Sequence, residues 1–344
     1  MTAATAAAAC SWTRERGPLA RAAEYLWAQQ AADGGFHSAT YGLLRSGQSL
    51  TPFVLGALLR VPGATMPAPP GAVERAIAFI RQHTSPDGAV GVAGGDADYP
   101  NYATALAVDA LVVARRSSFT PDIAKMVAQL RAQQFSDANG WASEHMAYGG
   151  WGMGGAIRRP PDAGHVDLSM TRFVLEALRA SGAGGSDPAM TRARVFLERA
   201  QNRDGGFSFS PVMPALNKAG RNDEGFVSYG TTTADGVLAL RATGLSDSDP
   251  RLASALEWLD RNHQPDRVPG FGEGEDRQTS WSTGLRFYYA AAIAAARPAL
   301  SVRLPEQADD GSFRNANTRV KEDDPLIATT FAVQMLTHVS PGTG

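Results

Sequence analysis

An internal repeat constrains this chain of 344 residues more than any other feature of its sequence. The fuller copies carry an arginine followed by alanine, an aromatic and an aliphatic residue, a glutamine, and a glycine with an aromatic residue two positions later. The six copies begin at or run through Arg21-Ala22, Arg75-Ala76, Leu130 with Gln134 and Gly140-Trp141, Arg192-Ala193, Ala255 with Trp258 and Gly270-Phe271, and Gln307 with Gly311 and Phe313. Their spacing of roughly 45 to 65 residues is typical of stacked helical pairs.

Each copy has the pattern of a helix, a turn and a second helix. In the first helix apolar residues recur at i, i+3 and i+4, as at Ala22, Tyr25 and Leu26. The turn is an Asp-Gly or Asn-Gly pair, because glycine tolerates a positive φ and Asp or Asn can bond its own backbone. The second helix opens with Ser or Thr and is apolar nearly all round, which indicates burial on every side. These second helices are predicted over 51–60, 102–114, 169–180, 231–242, 281–295 and 326–339.

Six helical pairs whose second members are the more buried predict two concentric rings, an all-α (α/α)6 toroid. An open solenoid is the alternative, but it requires polar terminal caps that the sequence lacks. We expect one toroid domain over residues 19–339, with a flexible N-terminus at 1–18 and a C-terminal tail at 340–344. The Pro- and Gly-rich stretch at 61–71 is then a loop between repeats rather than a domain linker.

Composition excludes several classes of function. The formal net charge is -2 and 19% of residues are charged, so the chain offers no basic field for nucleic acid. Cys10 is the only cysteine, which excludes a disulfide framework and a zinc site built on two thiolates. The first residues lack the features of a secretory peptide, and no run of about 20 apolar residues is present to span a bilayer. No nucleotide-binding motif occurs. We therefore expect a cytoplasmic protein without metal or cofactor.

The repeat resembles the QW-type repeat of the terpenoid cyclase and protein prenyltransferase superfamily, which includes the prenyltransferase and squalene oxidase repeat proteins. Gly149-Gly150-Trp151-Gly152, followed by residues 167–178, is similar to a stretch of bacterial squalene–hopene cyclases. The resemblance covers residues 19–339 and implies a ring of inner helices around a central apolar cavity that binds a polyprenyl or triterpenoid chain. The repeat residues themselves are expected to be structural, since glutamine caps helix ends and the ring packs over the turn: Gln30, Gln201, Gln307, Phe36, Phe207 and Phe313.

Missing residues separate the chemistries that this resemblance implies. The prenyltransferase β-subunits hold zinc with Asp, Cys and His, whereas the matching segment here has Ser228 in place of the thiol. The segment that matches their histidine motif, at 324–327, has no histidine. Lanthionine-forming toroids and thioester domains need cysteines that this chain does not offer. A thiolate–zinc site is therefore not expected.

Cation-forming cyclases need a strong acid in a dry pocket. The family pattern, Asp-x-Asp-Asp at the N-terminus of an inner helix, is approached at 321–325, where the resemblance makes Asp323 the proton donor and Asp324 its partner. Lys321 stands in place of the first Asp of that pattern. Asp96-Ala97-Asp98, before the second inner helix, is the other candidate. In the alternative interpretation both clusters are solvated acids that complement helix dipoles.

Polar and aromatic residues inside the apolar helices complete the candidate site. Arg172 and Asp235 lie on inner helices three and four, where a buried charge must be paired or functional. An ion pair of Arg172 with Asp235 or Asp167 is the structural alternative. His165, with a carboxylate two residues further on, is a candidate proton carrier. Aromatic faces can stabilise a carbocation, line a prenyl tunnel or simply form core; those at or inside the inner helices are Tyr102, Trp151, Phe173, Tyr229, Trp281, Phe287 and Tyr288.

Three functions remain open at this point. The first is an enzyme of isoprenoid metabolism, related to terpene cyclases or prenyltransferases, in which Asp323 and Asp324 start a cyclisation or isomerisation. The second is a non-catalytic isoprenoid-binding or scaffold toroid. The third is a glycan-acting enzyme with two facing carboxylates, such as Asp98 and Asp323. The expected partner is an isoprenoid small molecule, with a peripheral membrane contact or a second subunit as further partners.

Overall fold

The computed structural model describes residues 16–95, 97–272 and 280–339. Cys10, Asp96 and the predicted tail at 340–344 lie outside the described residues. The helices of the described part are α1 Pro18–Ala28, α2 Leu50–Leu58, α3 Ala72–Gln82, α4 Pro100–Val113, α5 Thr120–Ala132, α6 Leu168–Ala180, α7 Pro188–Ala200, α8 Gly230–Ala242, α9 Pro250–Asn262, α10 Trp281–Gly284, α11 Arg286–Ala296 and α12 Pro325–Val339. A short antiparallel hairpin pairs β1 (Arg221–Asn222) with β2 (Gly225–Phe226). No helix within these ranges is both long and apolar enough to cross a bilayer.

The inner layer is a closed ring of helices. In order around the ring come α2, α4, α6, α8, α10 with α11, and α12; each packs against the next, and α12 packs against α2. The burial of these helices on both faces explains their apolar sequences: in α8 every residue except Arg241 is buried. The predicted all-α (α/α)6 toroid is confirmed, and the contact of α12 with α2 excludes the open solenoid.

The outer layer consists of amphipathic helices that lie between consecutive inner helices. α1 packs against α12 and α2, α5 against α4 and α6, and α7 against α6 and α8. The sixth outer position holds the segment 297–320, which has no helix. Pro298 and Pro305 in this segment each remove a backbone donor. The segment bridges the gap from α9, where Arg297 pairs with Asp260 at 2.9 Å, back to α1.

A glutamine near the turn of four repeats joins neighbouring helical pairs. Its side-chain amide donates to a carbonyl of its own turn and to a carbonyl in the first turn of the next outer helix, at 2.7 to 3.0 Å. The pairs of acceptors are Gly34 and Ala72 for Gln30, Gly149 and Ala189 for Gln134, Gly205 and Arg251 for Gln201, and Gly311 and Pro18 for Gln307. The bond from Gln307 to Pro18 closes the ring, because Pro18 begins α1.

The sequence interpretation placed the turn of the third repeat at Gly140-Trp141. The turn in the structure lies further along the chain. Gln134 donates to Gly149, and Gly149 has a φ of 88°. A Cβ at Gly149 would lie 2.0 Å from the carbonyl oxygen of Arg192 in the next outer helix, so only glycine fits there. Trp151 is fully buried two residues later, as the repeat aromatic is elsewhere. The residues between Gln134 and Gly149 are therefore an insertion, whose Asn-Gly-Trp sequence imitates the repeat.

The glutamine bonds lead to a prediction about stability. The Gln134 side chain is fully buried, so Gln134→Ala leaves the carbonyls of Gly149 and Ala189 without this donor and Arg192 Nε without its acceptor at 3.0 Å. We expect the substitution to lower the free energy of unfolding by about 1–3 kcal/mol, measured by urea denaturation.

Gln307→Ala is the matched control. It removes the corresponding two bonds of the side-chain amide but has no counterpart of the Arg192 bond, and Pro18 is exposed to solvent, so water can replace the donor. We expect a smaller loss than at Gln134. An equal loss at both positions would contradict the view that buried carbonyl groups determine the effect.

Candidate functional site

The N-terminal ends of the inner helices surround an upper chamber with two lobes. The lobe lined by Leu50, Phe53 and Ile327, which we call the apolar lobe, has a volume of about 290 Å³. The lobe lined by His165, Lys218 and Asp235, which we call the polar lobe, has a volume of about 390 Å³. The residues that line both lobes, and so join them, are Tyr99, Tyr102, Leu285, Tyr288, Val320 and Lys321. A lower chamber of about 320 Å³ lies at the C-terminal ends of the same helices, and its polar wall includes Arg60, Asp109, Glu176 and His338.

Aromatic side chains separate the upper chamber from the lower one. Phe173, Tyr288 and Phe331 line both the apolar lobe and the lower chamber. The ring centres of Tyr102 and Phe173 lie 4.5 Å apart, those of Phe53 and Phe331 4.9 Å, and those of Tyr288 and Phe331 5.4 Å. We call these five residues the aromatic waist. These rings offer a hydrocarbon chain a continuous apolar surface, and a ring face turned towards a cation would stabilise it.

A buried carboxyl group, that of Asp235 on α8, lies beside this waist and lines the polar lobe. The Tyr288 hydroxyl donates to it at 2.9 and 3.0 Å, and Arg172 Nη1 donates at 3.0 Å. Arg172 Nε lies 3.1 Å from Glu176, so one guanidinium stands between two carboxyl groups. Burial raises the pKa of Asp235 to about 6, although Arg172 and Tyr288 favour its carboxylate form. Of the two carboxyl groups beside Arg172, Asp235 is the more deeply buried.

Hydrogen bonds connect Asp235 to the wall of the upper chamber. Ser169 Oγ lies 2.6 Å from the Tyr288 hydroxyl and 3.1 Å from the Tyr102 hydroxyl. When the Tyr288 hydroxyl donates its hydrogen bond to Asp235, Ser169 donates to Tyr288 and Tyr102 donates to Ser169. The direction of each bond reverses once Asp235 donates instead. The four groups therefore form a continuous path for a proton within the waist.

Glu322 is a second buried carboxyl group, in the wall of the apolar lobe. It accepts hydrogen bonds from the backbone N–H groups of Phe287 and Tyr288 at 2.9 and 2.8 Å, and from Asn315 Nδ2 at 2.9 Å. These bonds begin α11 and explain why the fifth inner helix is interrupted at Leu285, where the sequence predicts one helix over 281–295. Burial raises the pKa of Glu322 to about 7 against the effect of these donors.

The structure places the acids of the sequence motif away from the chambers. Asp323 accepts a hydrogen bond from the Tyr41 hydroxyl. Asp324 accepts from Ser38 Oγ at 2.5 Å and from the Leu326 backbone at 2.9 Å, so it caps the start of α12. Neither side chain lines the upper or lower chamber. The roles of Asp323 and Asp324 in catalysis stay predictions.

The other predicted acids and bases lie at helix starts. Asp98 is buried and accepts from Ser49 Oγ at 2.6 Å at the beginning of α2. His165 lines the polar lobe, and its Nε2 lies 2.6 Å from Asp167. Asp167 also caps α6 by accepting from Met170 N at 2.7 Å. His165 is therefore within reach of a ligand in the polar lobe, whereas Asp98 is engaged in the fold.

Among the predicted aromatic residues the structure separates two groups. Tyr102, Phe173, Tyr229 and Tyr288 line the upper chamber. Trp151 does not, because its indole donates to the Leu130 carbonyl at 2.7 Å inside the core of the third repeat. Phe287 packs on Phe313 and Trp281 is half-buried at the start of α10; neither lines the chambers.

Sequence reasoning did not identify Glu322, Ser169, Lys218 or Lys321 as residues of the chamber wall. The small number of lysines was a signal in the sequence, because the chain has only three of them. In the structure two of the three line the polar lobe. Within the residues that the structure describes, no three His, Cys, Asp or Glu side chains are grouped so that they could hold a metal ion.

Comparison with known proteins gives a likeness of fold. No family model and no curated protein sequence matches the chain. The type II terpene cyclase MstE from Scytonema, without ligand, has a TM-score of 0.57 and 15% identity over 94% of this chain and 98% of that chain. A variant of MstE in complex with geranylgeranyl dihydroxybenzoate, its substrate, has a TM-score of 0.56 and 14% identity over 94% of this chain and 96% of that one. The chain thus has a terpene cyclase-like fold.

The buried position of Glu322 predicts a pH-dependent stability. Its pKa rises on folding from the ordinary 4.5 to about 7, so its contribution to stability is present in full below about pH 4.5 and is lost as pH rises through 7. We expect the free energy of unfolding of the wild type to fall, relative to that of Glu322→Gln, by about 3 kcal/mol across this range. Urea denaturation at a series of pH values measures it.

Glu306→Gln provides the control, because Glu306 is exposed. Its difference from the wild type is expected to be constant over the same pH range. If Glu322→Gln were also parallel to the wild type at every pH, the Glu322 carboxyl group would not be titrating in the buried position described.

Proposed function

We propose that this protein binds a prenyl chain in the upper chamber and starts its cyclisation or isomerisation by donating a proton from Asp235. The observation that carries the proposal is an aromatic chamber whose wall contains a buried carboxyl group with its pKa raised to about 6. The raised pKa increases the fraction of Asp235 that carries a proton near neutral pH, and Arg172 beside it stabilises the carboxylate that remains after donation. The likeness of fold to a cyclase that takes geranylgeranyl dihydroxybenzoate supports the same class of ligand.

The two lobes together give one ligand enough space. Their volumes of about 290 and 390 Å³, taken together, fall within the range of small-molecule sites. The hydrocarbon would occupy the apolar lobe against Phe53, Phe173 and Phe331, while the polar lobe would receive the other end. The shared wall at Tyr102 and Tyr288 lets one chain reach both lobes.

In the proposed reaction the Asp235 proton passes to one carbon of a double bond, and the other carbon becomes cationic. The Asp235 carboxylate left behind is stabilised by Arg172 at 3.0 Å. The rings of Tyr288, Phe173 and Phe331 would stabilise the cation wherever a ring face is turned towards it, at about 0.5–2 kcal/mol for each well-placed face. The product cation then loses a proton to the Tyr102 hydroxyl oxygen, and the relay through Ser169 and Tyr288 passes one proton on to the Asp235 carboxylate, which restores the acid.

A second candidate function is that of a non-catalytic isoprenoid-binding protein. The distance of 3.0 Å between Arg172 and Asp235 favours it, because a buried ion pair of this geometry also serves as a structural link between α6 and α8. No observation favours the glycan-acting alternative, since Asp98 and Asp323 line neither lobe of the upper chamber.

The test is to incubate the purified protein with geranylgeraniol, geranylgeranyl diphosphate and geranylgeranyl dihydroxybenzoate and to analyse the products by mass spectrometry. We expect a cyclised or isomerised product from at least one of them. Asp235→Asn should lower the rate by about 100-fold or more, with binding retained, because it removes the acid and keeps the shape.

Asp323→Asn and Asp324→Asn are the comparison variants. We expect each to keep most of the activity, since neither side chain lines the chamber. If Asp323→Asn lost its activity while Asp235→Asn kept it, Asp323 would be the acid, as the sequence motif predicts. Binding of all three ligands without any turnover would favour the non-catalytic function.

A further inference from the structure

Two of the three lysines of the chain face the same cavity. Lys218 and Lys321 line the polar lobe of the upper chamber, whereas Lys125 is exposed on the outer helix α5. The carboxyl groups of the lobe are engaged elsewhere: Asp167 with His165 at 2.6 Å and Asp235 with Arg172 at 3.0 Å. Neither ammonium group forms a salt bridge with a carboxylate in the part of the chain that the structure describes.

Lys218 is held among aromatic rings instead of acids. Its Nζ lies 3.8 Å from the centre of the Phe209 ring and 5.4 Å from that of Trp281. Burial lowers the pKa of Lys218, while Asp167 and Asp235 act in the opposite direction. Lys218 is half-buried, and a partly desolvated cation without a paired carboxylate is unfavourable, so an anion from a ligand would reduce that penalty.

Lys321 approaches the lobe from the turn before α12. Its Nζ donates to the Tyr99 hydroxyl at 3.3 Å and lies 5.6 Å from the centre of that ring. The lobe thus offers two cations to one ligand.

We propose that Lys218 and Lys321 bind the anionic head group of the ligand, a carboxylate or a diphosphate, and so fix which end of the prenyl chain enters the apolar lobe. The inference rests on the proposed function and adds the chemical class of the head group. With the anion held in the polar lobe, the chain extends past Tyr102 and Tyr288 into the apolar lobe. A neutral prenyl alcohol lacks this anchor.

The experiment compares three ligands with the same chain: geranylgeraniol, geranylgeranoic acid and geranylgeranyl diphosphate. Affinities are measured by titration of tryptophan fluorescence and by calorimetry. We expect the wild type to bind at least one of the two anions tenfold or more tightly than the alcohol. Lys218→Gln and Lys321→Gln should each reduce that preference by about tenfold, because each variant loses more affinity for the anion than for the alcohol.

Lys125→Gln is the matched control and should keep the full preference, because Lys125 is exposed and far from the chamber wall. Lys218→Arg keeps the positive charge and should retain most of the preference for the anion. Thermal melting checks that every variant is folded. The relative affinities for the acid and the diphosphate identify which anion the site takes.

The outcomes separate this inference from the proposed function. If the alcohol and the anions bind alike, or if the preference is unchanged in both Lys218→Gln and Lys321→Gln, the head-group site is refuted while a prenyl-binding chamber stands. If none of the three ligands binds, the proposed function fails and the head-group site fails with it.

Discussion

The closure of the inner ring, where α12 packs against α2, is the contact on which the rest of the structure depends. It turns a row of helical pairs into an enclosure, and side chains of the inner helices, Asp235 among them, are buried inside it. The Gln307 side chain repeats the closure on the outside by bonding to Pro18. Since the last outer position holds an irregular segment, the first outer helix completes the layer, and the two ends of the fold stabilise one another.

Burial explains the raised pKa values of the two carboxyl groups of the site. Asp235 and Glu322 both have raised pKa values because burial disfavours their charged forms, yet their surroundings differ. Glu322 is bound by three N–H donors and serves the helix that it caps. Asp235 is bound by one hydroxyl and shares one guanidinium with Glu176. Burial thus acts on both groups alike and their neighbours differ: Glu322 caps a helix, whereas Asp235, the acid of the proposed function, lies between a hydroxyl and a guanidinium.

The repeat pattern predicted the helical pairs and the toroid, because apolar periodicity and turn residues are local properties of the sequence. It failed at the third turn, where the insertion carries an Asn-Gly-Trp of its own and long-range contacts of Gly149 decide the register. The aromatic residues Tyr102, Phe173 and Tyr288 were predicted from their place in apolar helices. Glu322 was missed in favour of Asp323, since a single turn of 3₁₀-helix decides which of two adjacent acids faces inward. Lys218 lies in a long loop, for which no periodicity exists.

The aromatic waist lies between two chambers of different polarity. Phe173, Tyr288 and Phe331 line both of them, and the lower chamber has in addition a charged wall that includes Arg60, Asp109 and Glu176. A hydrocarbon that extended past these rings would meet charged groups instead of apolar ones, which is unfavourable. The change of polarity at the waist thus sets a limit on the length of apolar chain that the upper chamber suits.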